Sequence, residues 1–422
     1  MNAHQKSNTL GIDFGTSNSA TGIMVNGKPY LIPVEPGKTT MPTSLFFDFE
    51  LRRILFGTPA NNALIEGREG RFMRSLKSVL GTSLMQEKHR MMGETLSFVD
   101  IISRFLKEIK TRAEAACFQE FDTALAGRPI HFHSHNAVKD AQALADLEEC
   151  YLKAGFKNVQ FMYEPEAAAI SNHALNGAGD IGLIVDIGGG TSDFCLFKSN
   201  DNGIDILASH GVRVGGTNFD KAISVDHVMQ LFGKGADIRN EMGAGTLTSP
   251  NALFQDLATW EKIAFLYTGE TRRLVADLHR QAVNKPLFAR LQGVLEHELG
   301  HEIAFAVERG KIHANKELCE VTNINLDFIE PGLDVHVTAG DLMLSLPNHA
   351  KKIQDCAKET LAMAGVTATS VDTVIFVGGS SLMSVVEEAM IDIFPSASLK
   401  YADAFTAIVD GLAIGSERAD FN

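Results

Sequence analysis

Two short runs carry residues whose types and order could do chemistry. In IVDIGGGTSDF, Ile184 to Phe194, an apolar run ends in Asp186, followed by Gly188, Gly189, Gly190, the hydroxyl of Thr191 and a second acid, Asp193. The order returns in GIDFGTSNSATGIMV: Asp13, then Gly15, then the hydroxyls of Thr16 and Ser17, with one glycine step fewer. Glycine lets backbone N–H groups approach an anion unobstructed, and a turn after a strand forms a concave nest of such donors. Acids beside a phosphate are a liability unless a cation lies between them; a magnesium nucleotide resolves that conflict. A third turn, Gly378, Gly379 and Ser380, follows the buried run Val374 to Val377. Alone, GGG before a threonine fits a ligand-free glycine hairpin equally well. Three such turns in one chain favour phosphate or ribose, because converging charge-assisted hydrogen bonds of about 1.5 to 3 kcal/mol each would hold a triphosphate without a basic surface.

These turns need strands before and after them. Leu10 to Phe14 and Ala20 to Val25 read as strands around the first turn, and Asn26-Gly27 signals a hairpin returning through Tyr30 to Val34. Gly182 to Phe197 and Asp205 to Ser209 repeat that start, followed by GGTNFD from Gly215 and Gly216 to Asp220. Asp13 and Asp186 lie roughly 170 positions apart, a domain length, so the repeated unit is a domain and not a short solenoid repeat. Between the turns, Arg68 to Leu80 is a basic, helix-compatible run that holds Lys77. Phe98 to Ala116 has helical apolar spacing, Ile130 to Phe132 reads as a strand, and Val138 to Ala154 as a helix stopped by Gly155. Val159, Phe161 and Tyr163 alternate as a strand, and Glu164-Pro165 opens the next helix. Lys221 to about Glu320 is mostly helical, holds the single tryptophan, Trp260, and reads as an insertion in the second domain. A short strand at Val335 to Val337, helices at Asn348 to Ala364 and up to Phe394, and a last helix at Ala404 to Glu417 complete an α/β pattern.

Composition sets limits on partners. The 422 residues are 45% hydrophobic, enough for two or three cores, and the net charge of −14 argues against nucleic acid or an anionic membrane as partner. Cys117, Cys150, Cys195, Cys319 and Cys356 are scattered with no C-x-x-C pair, which fits buried thiols in a reducing compartment. No apolar segment precedes the first strand and none is long enough to cross a bilayer, so the expected location is cytoplasmic.

Five ordered motifs, IDFGTSNS, YEPEAAA, VDIGGGTSDF, GGTNFD and FVGGSS, together resemble the nucleotide-binding domain of the DnaK-type heat-shock chaperones, within the actin and hexokinase superfamily. GRPIHF at Gly127 to Phe132 and the AGF at Ala154 to Phe156 look more like its short YegD-type branch. The resemblance implies an α/β, two-lobed actin-like ATPase fold with duplicated ribonuclease-H-like domains. Lobe I would span 1–178 with 402–422 returning to it, and lobe II 179–401 with a helical subdomain at about 221–322. It further implies ATP or ADP with Mg2+ held by Asp13 and Asp186 through waters. Phosphate contacts would come from Thr16, Ser17, Thr191 and the glycines of the turns. Lys77 would lie near the γ-phosphate, Glu164 and Asp193 would position the attacking water, and Glu308 and Lys311 would hold ribose and base. The plainer readings are a solvated lysine for Lys77 and a helix N-terminal carboxylate for Glu164. Three positions depart from the family: Ile312 and Leu382 replace arginines that sandwich adenine, and Asn18 follows the first turn. No acidic-leucine linker or β-rich peptide-binding domain follows within the 422 residues, so the expected partners are nucleotide and an unidentified protein or co-chaperone.

Two motifs compete. His297, Glu298 and His301 spell HELGH, a zinc-peptidase pattern when carried on one helix, with His313, Glu317 and Glu320 as candidates for a third ligand. His131, His133 and His135 alternate in HFHSH, where surface histidines are favoured over a metal site. The leading expectation is a slow ATPase acting as a nucleotide-controlled switch. A small-molecule kinase of the same fold and a non-hydrolysing scaffold remain as alternatives.

Overall fold

The computed structural model describes residues 8–172, 179–201, 203–240, 243–316, 321–402 and 406–418. Their contacts divide the chain into two compact units: one within Met1–Gly216, Ala350–Leu382 and Val386–Asn422, the other Thr217–His349 with Met383–Val385.

The first unit contains two large sheets built alike. In one, β1 (Thr9–Phe14) pairs antiparallel with β2 (Asn18–Val25), which pairs with β3 (Lys28–Leu31). On its other side β1 runs parallel to β4 (Thr123–Arg128), and β4 parallel to β5 (Asn158–Tyr163). The second sheet repeats this order: β6 (Ile181–Ile187) pairs antiparallel with β7 (Ser192–Asn200), and β7 with β8 (Gly203–Val212). On its far side β6 is parallel to β9 (Thr373–Val377), and β9 to β10 (Ser398–Tyr401). Each sheet thus has two tight hairpins followed by two crossover strands, with the acid–glycine turn in the first hairpin.

Helices cover these sheets. Helix α1 (Phe98–Cys117) starts in a reciprocal cap between Ser97 and Asp100, and buries Ile101, Ile102, Phe105, Leu106 and Ile109 on one stripe. Helix α2 is Ala137–Lys153 and α3 is Glu164–Asn172, whose Ala167, Ala168 and Ala169 are fully buried. Helix α4 is Pro347–Ala364, ended by Gly365 at φ 65°. Helix α5 (Ala407–Arg418) packs on α3 and on the first sheet. Its expected start at Ala404 lies outside the described residues.

Four local expectations change. Arg68 to Leu80 is not a helix: Gly70–Arg74 is a strand beside Ser44–Asp48, followed by a 3-10 turn at Leu76–Val79. Ser75 at φ 59° interrupts any helix there, while Phe72 and Met73 are buried in the small sheet. Ile130 to Phe132 lies outside any ladder; the strand is β4, which stops before Pro129 because proline has no N–H to continue it. The return strand expected through Tyr30 to Val34 ends at Leu31. The mainly helical stretch after Lys221 also contains a hairpin, Asp237–Arg239 with Thr246–Thr248.

The second unit buries Trp260, Ile263 and Ala304 together, with Tyr267 and Phe305 packed against them. HELGH does not lie on one helix. The helix Lys285–Glu296 ends at His297, Glu298 adopts φ 56°, and a new helix, Gly300–Lys316, begins. The hydroxyl of Tyr267 donates to the Glu298 carbonyl at 2.9 Å and accepts the Gly300 N–H at 3.0 Å. Two histidines four apart face the same side when they lie on one helix, and this turn breaks that alignment. His301 is instead buried beside Trp260. Glu317, Glu320 and Cys319 lie outside the described residues. Among the described residues no helix is long and apolar enough to cross a membrane.

Candidate functional site

The first hairpin of each large sheet delivers its acid to the same place. Asp13, the last residue but one of β1, lies opposite Ala20, and Asp186 on β6 lies directly opposite Asp193 on β7. The two turns touch. A side-chain carbon added to Gly189 would lie 2.6 Å from Ser17 Oγ, and one added to Gly190 would lie 3.0 Å from Thr16 Oγ1. The second turn closes through Gly188 N–H, which donates to the Thr191 carbonyl at 3.1 Å.

Gly215 and Gly216 press onto the same turn. A carbon added to Gly215 would meet the Gly189 carbonyl carbon and Gly190 nitrogen at 2.6 Å, and the Gly216 N–H donates to Gly188 O at 3.0 Å. The third turn arrives beside them: a carbon on Gly216 would sit 2.3 Å from Ser380 Oγ. Gly378, at φ 80°, leaves no room for a side chain, which would stand 2.7 Å from Asp186 Oδ1. Gly379, which is exposed, follows and opens a 3-10 turn to Leu382. All three predicted turns therefore meet around Asp186.

Lys77 and Glu164 complete the cluster. The 3-10 turn buries Lys77, and α3 places Glu164 at its first position; Lys77 Nζ donates to Glu164 Oε1 at 2.5 Å. With side chains only 7% and 8% exposed, neither is a solvated surface group. Burial alone would lower the Lys77 ammonium's pKa, but Glu164, Asp13 and Asp193 outweigh it and hold it above its ordinary value. The acids move the other way. Burial, then the Glu164 charge, pushes Asp13 up to about 7 against the pull of Lys77. The same pair of causes brings Asp193 to about 7, although Thr191 and the Ile130 N–H oppose it, and holds Asp186 well above the carboxylate range. Four carboxylates share one ammonium here.

That excess of buried acid leaves negative charge without a cationic partner in the cluster. Asp193 Oδ1 accepts from Ile130 N–H at 2.8 Å, but its Oδ2 is buried with no hydrogen-bond partner. Among the described residues no three acids, histidines or cysteines come close enough to hold one metal ion directly. The two carboxylates of Asp13 and Asp186, whose charges act on each other, are a donor set compatible with a divalent ion that keeps its own waters.

Glu308 and Lys311 belong to the second unit, on the helix Gly300–Lys316. Lys311 is buried and paired with Asp220 at 2.7 Å, and the Trp260 indole N–H donates to the same carboxylate at 3.1 Å. Ile312 and Leu382 are 41% and 47% exposed.

Two residues near the cluster were not foreseen. Arg213, just after β8, lines a small recess with Lys77, Ser78 and Thr191. His133 does not face solvent as HFHSH suggested: it is half-buried, its Nε2–H donates to Leu80 O at 2.8 Å, and its Nδ1 accepts from Arg213 at 2.8 Å. His131 lies 3.5 Å from Asp140.

The family model described as Hsp70 protein matches residues 9–247. Similar curated proteins include the chaperone protein DnaK of Thermoplasma acidophilum, 31% identical over 56% of this chain and 38% of that protein. The chaperone protein DnaK of Endomicrobium trichonymphae is 30% identical over 55% of this chain and 37% of its own length. That of Methanothermobacter thermautotrophicus is 24% identical over 97% of this chain and 59% of its own length. The chain thus spans less than two thirds of the relatives it matches. With two sheets of one topology, three converging glycine turns and a family match over more than half its residues, the chain belongs to the Hsp70 family and has its mixed α/β, actin-like ATPase fold.

Proposed function

We propose that this chain binds magnesium ATP, hydrolyses it slowly, and acts as a nucleotide-controlled, chaperone-like switch. The observation that carries the reading is the meeting of two acid–glycine–hydroxyl turns over four carboxylates and one buried lysine. Asp13 and Asp186 would hold Mg2+ through waters, and the bound ion would supply charge screening between the phosphates. Backbone N–H groups of Gly15 to Ser17 and Gly189 to Thr191 would cradle the phosphates, with Gly188, whose N–H closes the turn on Thr191 O, shaping it. Glu164, fixed by Lys77, and Asp193, whose Oδ2 lacks a protein donor, would orient the attacking water. Lys77 would stabilise charge developing on the terminal phosphate. Loss of that phosphate would remove contacts shared by the two turns and let them separate.

Further assignments accompany this reading: Glu308 and Lys311 for ribose and base, lobes at 1–178 and 179–401, and a protein partner. A small-molecule kinase of the same fold is one alternative, and phosphate transfer to an added sugar or short acid faster than to water would favour it. The exposed apolar side chains of Ile312 and Leu382 favour a second reading, a non-hydrolysing scaffold; calorimetry showing no affinity for MgATP or MgADP would support it. For the leading reading, single-turnover hydrolysis is expected to fall about 100-fold or more in Lys77→Ala and in Asp193→Ala, the scale of losing one preorganised electrostatic group. Wild-type rates in both variants would remove these residues from the chemistry.

A further inference from the structure

Arg213 is held from both ends. Its backbone N–H donates to Ser134 Oγ at 2.8 Å, while its guanidinium donates to Ser78 O at 2.7 Å and to His133 Nδ1 at 2.8 Å. Since the Leu80 carbonyl only accepts, the proton of His133 sits on Nε2, leaving Nδ1 as the acceptor for the guanidinium. The imidazole is therefore neutral. Burial keeps it so by lowering its pKa; Leu80 O opposes that, Arg213 and Lys139 reinforce it, and Asp140 opposes it.

The recess that Arg213 lines borders the carboxylate cluster, and Arg213 brings it a second cation. Lys77, already paired with Glu164, and Arg213 supply ammonium and guanidinium donors, Thr16, Ser78 and Thr191 supply hydroxyls, and Gly190 belongs to the second turn. Among the described residues that line it there is no carboxylate. Its roughly one-water capacity matches a single phosphate oxygen taking the place of a solvent molecule. A planar guanidinium with five fixed donors suits a phosphate better than a mobile ammonium does.

We propose that Arg213 is a second phosphate-binding cation beside Lys77, receiving an oxygen of a tetrahedral phosphate, with His133 as its positioning residue. This rests on the function proposed above. Two sources share that chemistry: the γ-phosphoryl group before cleavage, and orthophosphate after it. Arg213 makes no covalent bond in either case; it sets how tightly the third phosphate is held relative to the first two.

The test is calorimetry with three probes, namely MgADP, a magnesium complex of a non-hydrolysable ATP analogue, and orthophosphate added to MgADP-loaded protein. Wild type is compared with Arg213→Ala, Arg213→Lys, His133→Ala and His133→Asn. Expected for Arg213→Ala is an affinity for the analogue or orthophosphate at least about 10-fold weaker, as for loss of one charge-assisted hydrogen bond, with MgADP unchanged within about twofold. Weakening of the analogue alone identifies the γ-phosphoryl group as the ligand, and weakening of orthophosphate alone identifies the product. His133→Ala should show the same pattern more weakly, with recovery in His133→Asn, whose amide oxygen can stand near Nδ1. Equal losses for MgADP and the third phosphate would mark Arg213 as merely structural and overturn the proposal. So would unchanged affinities in Arg213→Ala and Arg213→Lys, or a wild type that binds MgADP yet shows neither orthophosphate binding nor preference for the analogue. If wild type binds no MgADP at all, it is the proposed function that fails.

Discussion

Glu302 lies on the helix Gly300–Lys316 with Oε2 buried and lacking a hydrogen-bond partner. Burial, followed by the nearby Glu298 charge, pushes its carboxyl up to about 7 against its own backbone N–H. An acid whose pKa is higher folded than unfolded contributes fully below the unfolded value and loses that contribution as pH rises through the folded one. Stability of the second unit should therefore decline between about pH 4.5 and 7, by up to roughly 3 kcal/mol from this group. Trp260, in the same unit and the single tryptophan, gives the readout. Denaturant midpoints followed by its fluorescence should fall with pH in wild type relative to Glu302→Gln; parallel pH profiles would refute the assignment. The residues that meet at the candidate site were legible because each turn writes its acid, glycines and hydroxyls consecutively. Arg213 was not, since its partners His133 and Ser78 stand 80 and 135 positions away. The Lys77–Glu164 pair spans 87 positions and was placed by resemblance, not by local pattern.

At the scale of elements, α3 and α5 cross where both present small residues. A side-chain carbon on Gly411 would stand 1.8 Å from Ala167 O, a backbone atom that cannot rotate away. Gly411→Ala must therefore separate the two helices, which we expect to cost at least the 1 to 3 kcal/mol typical of overpacking, about the lower end of a core defect. Because α3 begins at Glu164, the shift should reach the site: nucleotide hydrolysis is expected to fall even at temperatures where the variant remains folded. Thermal unfolding and single-turnover assays on one preparation check both; a variant as stable and as active as wild type would show that the crossing does not position Glu164. Amphipathic helices such as α1 were legible because their apolar period is long and regular. β4 was missed because Thr123 to Arg128, buried between two parallel neighbours, has no alternation to read. Gly70–Arg74 was misread because its basic side chains mask a strand whose partner, Ser44–Asp48, lies 22 to 30 residues earlier, so local composition misled where pairing decided.

Over the whole molecule, the repeated sheet topology brings two acidic turns into one place, and burying their carboxylates together opposes stability. Burial first, and then the neighbouring acids, raises Asp13, Asp186 and Asp193, so keeping four carboxylates charged around Lys77 costs folding free energy. Removing one charge should therefore stabilise the unliganded protein while weakening its ligand, the usual conflict at a binding site. Asp186→Asn is expected to raise the melting temperature without ligand and to abolish the further rise produced by MgADP. In wild type, MgADP at about 100 times its dissociation constant should add about 2.7 kcal/mol, or roughly 5 °C for a unit of this size. ADP with a chelator should add much less, because the nucleotide phosphates then meet the carboxylates with no divalent ion between them. Differential scanning with and without magnesium separates the cases. A shift of equal size under chelation would mean that the acids do not act through a cation, and a destabilised Asp186→Asn would mean that their charges are held by partners within the fold. The expected result, a more stable but unresponsive variant, follows only if the two turns are strained against each other by charge that magnesium nucleotide relieves.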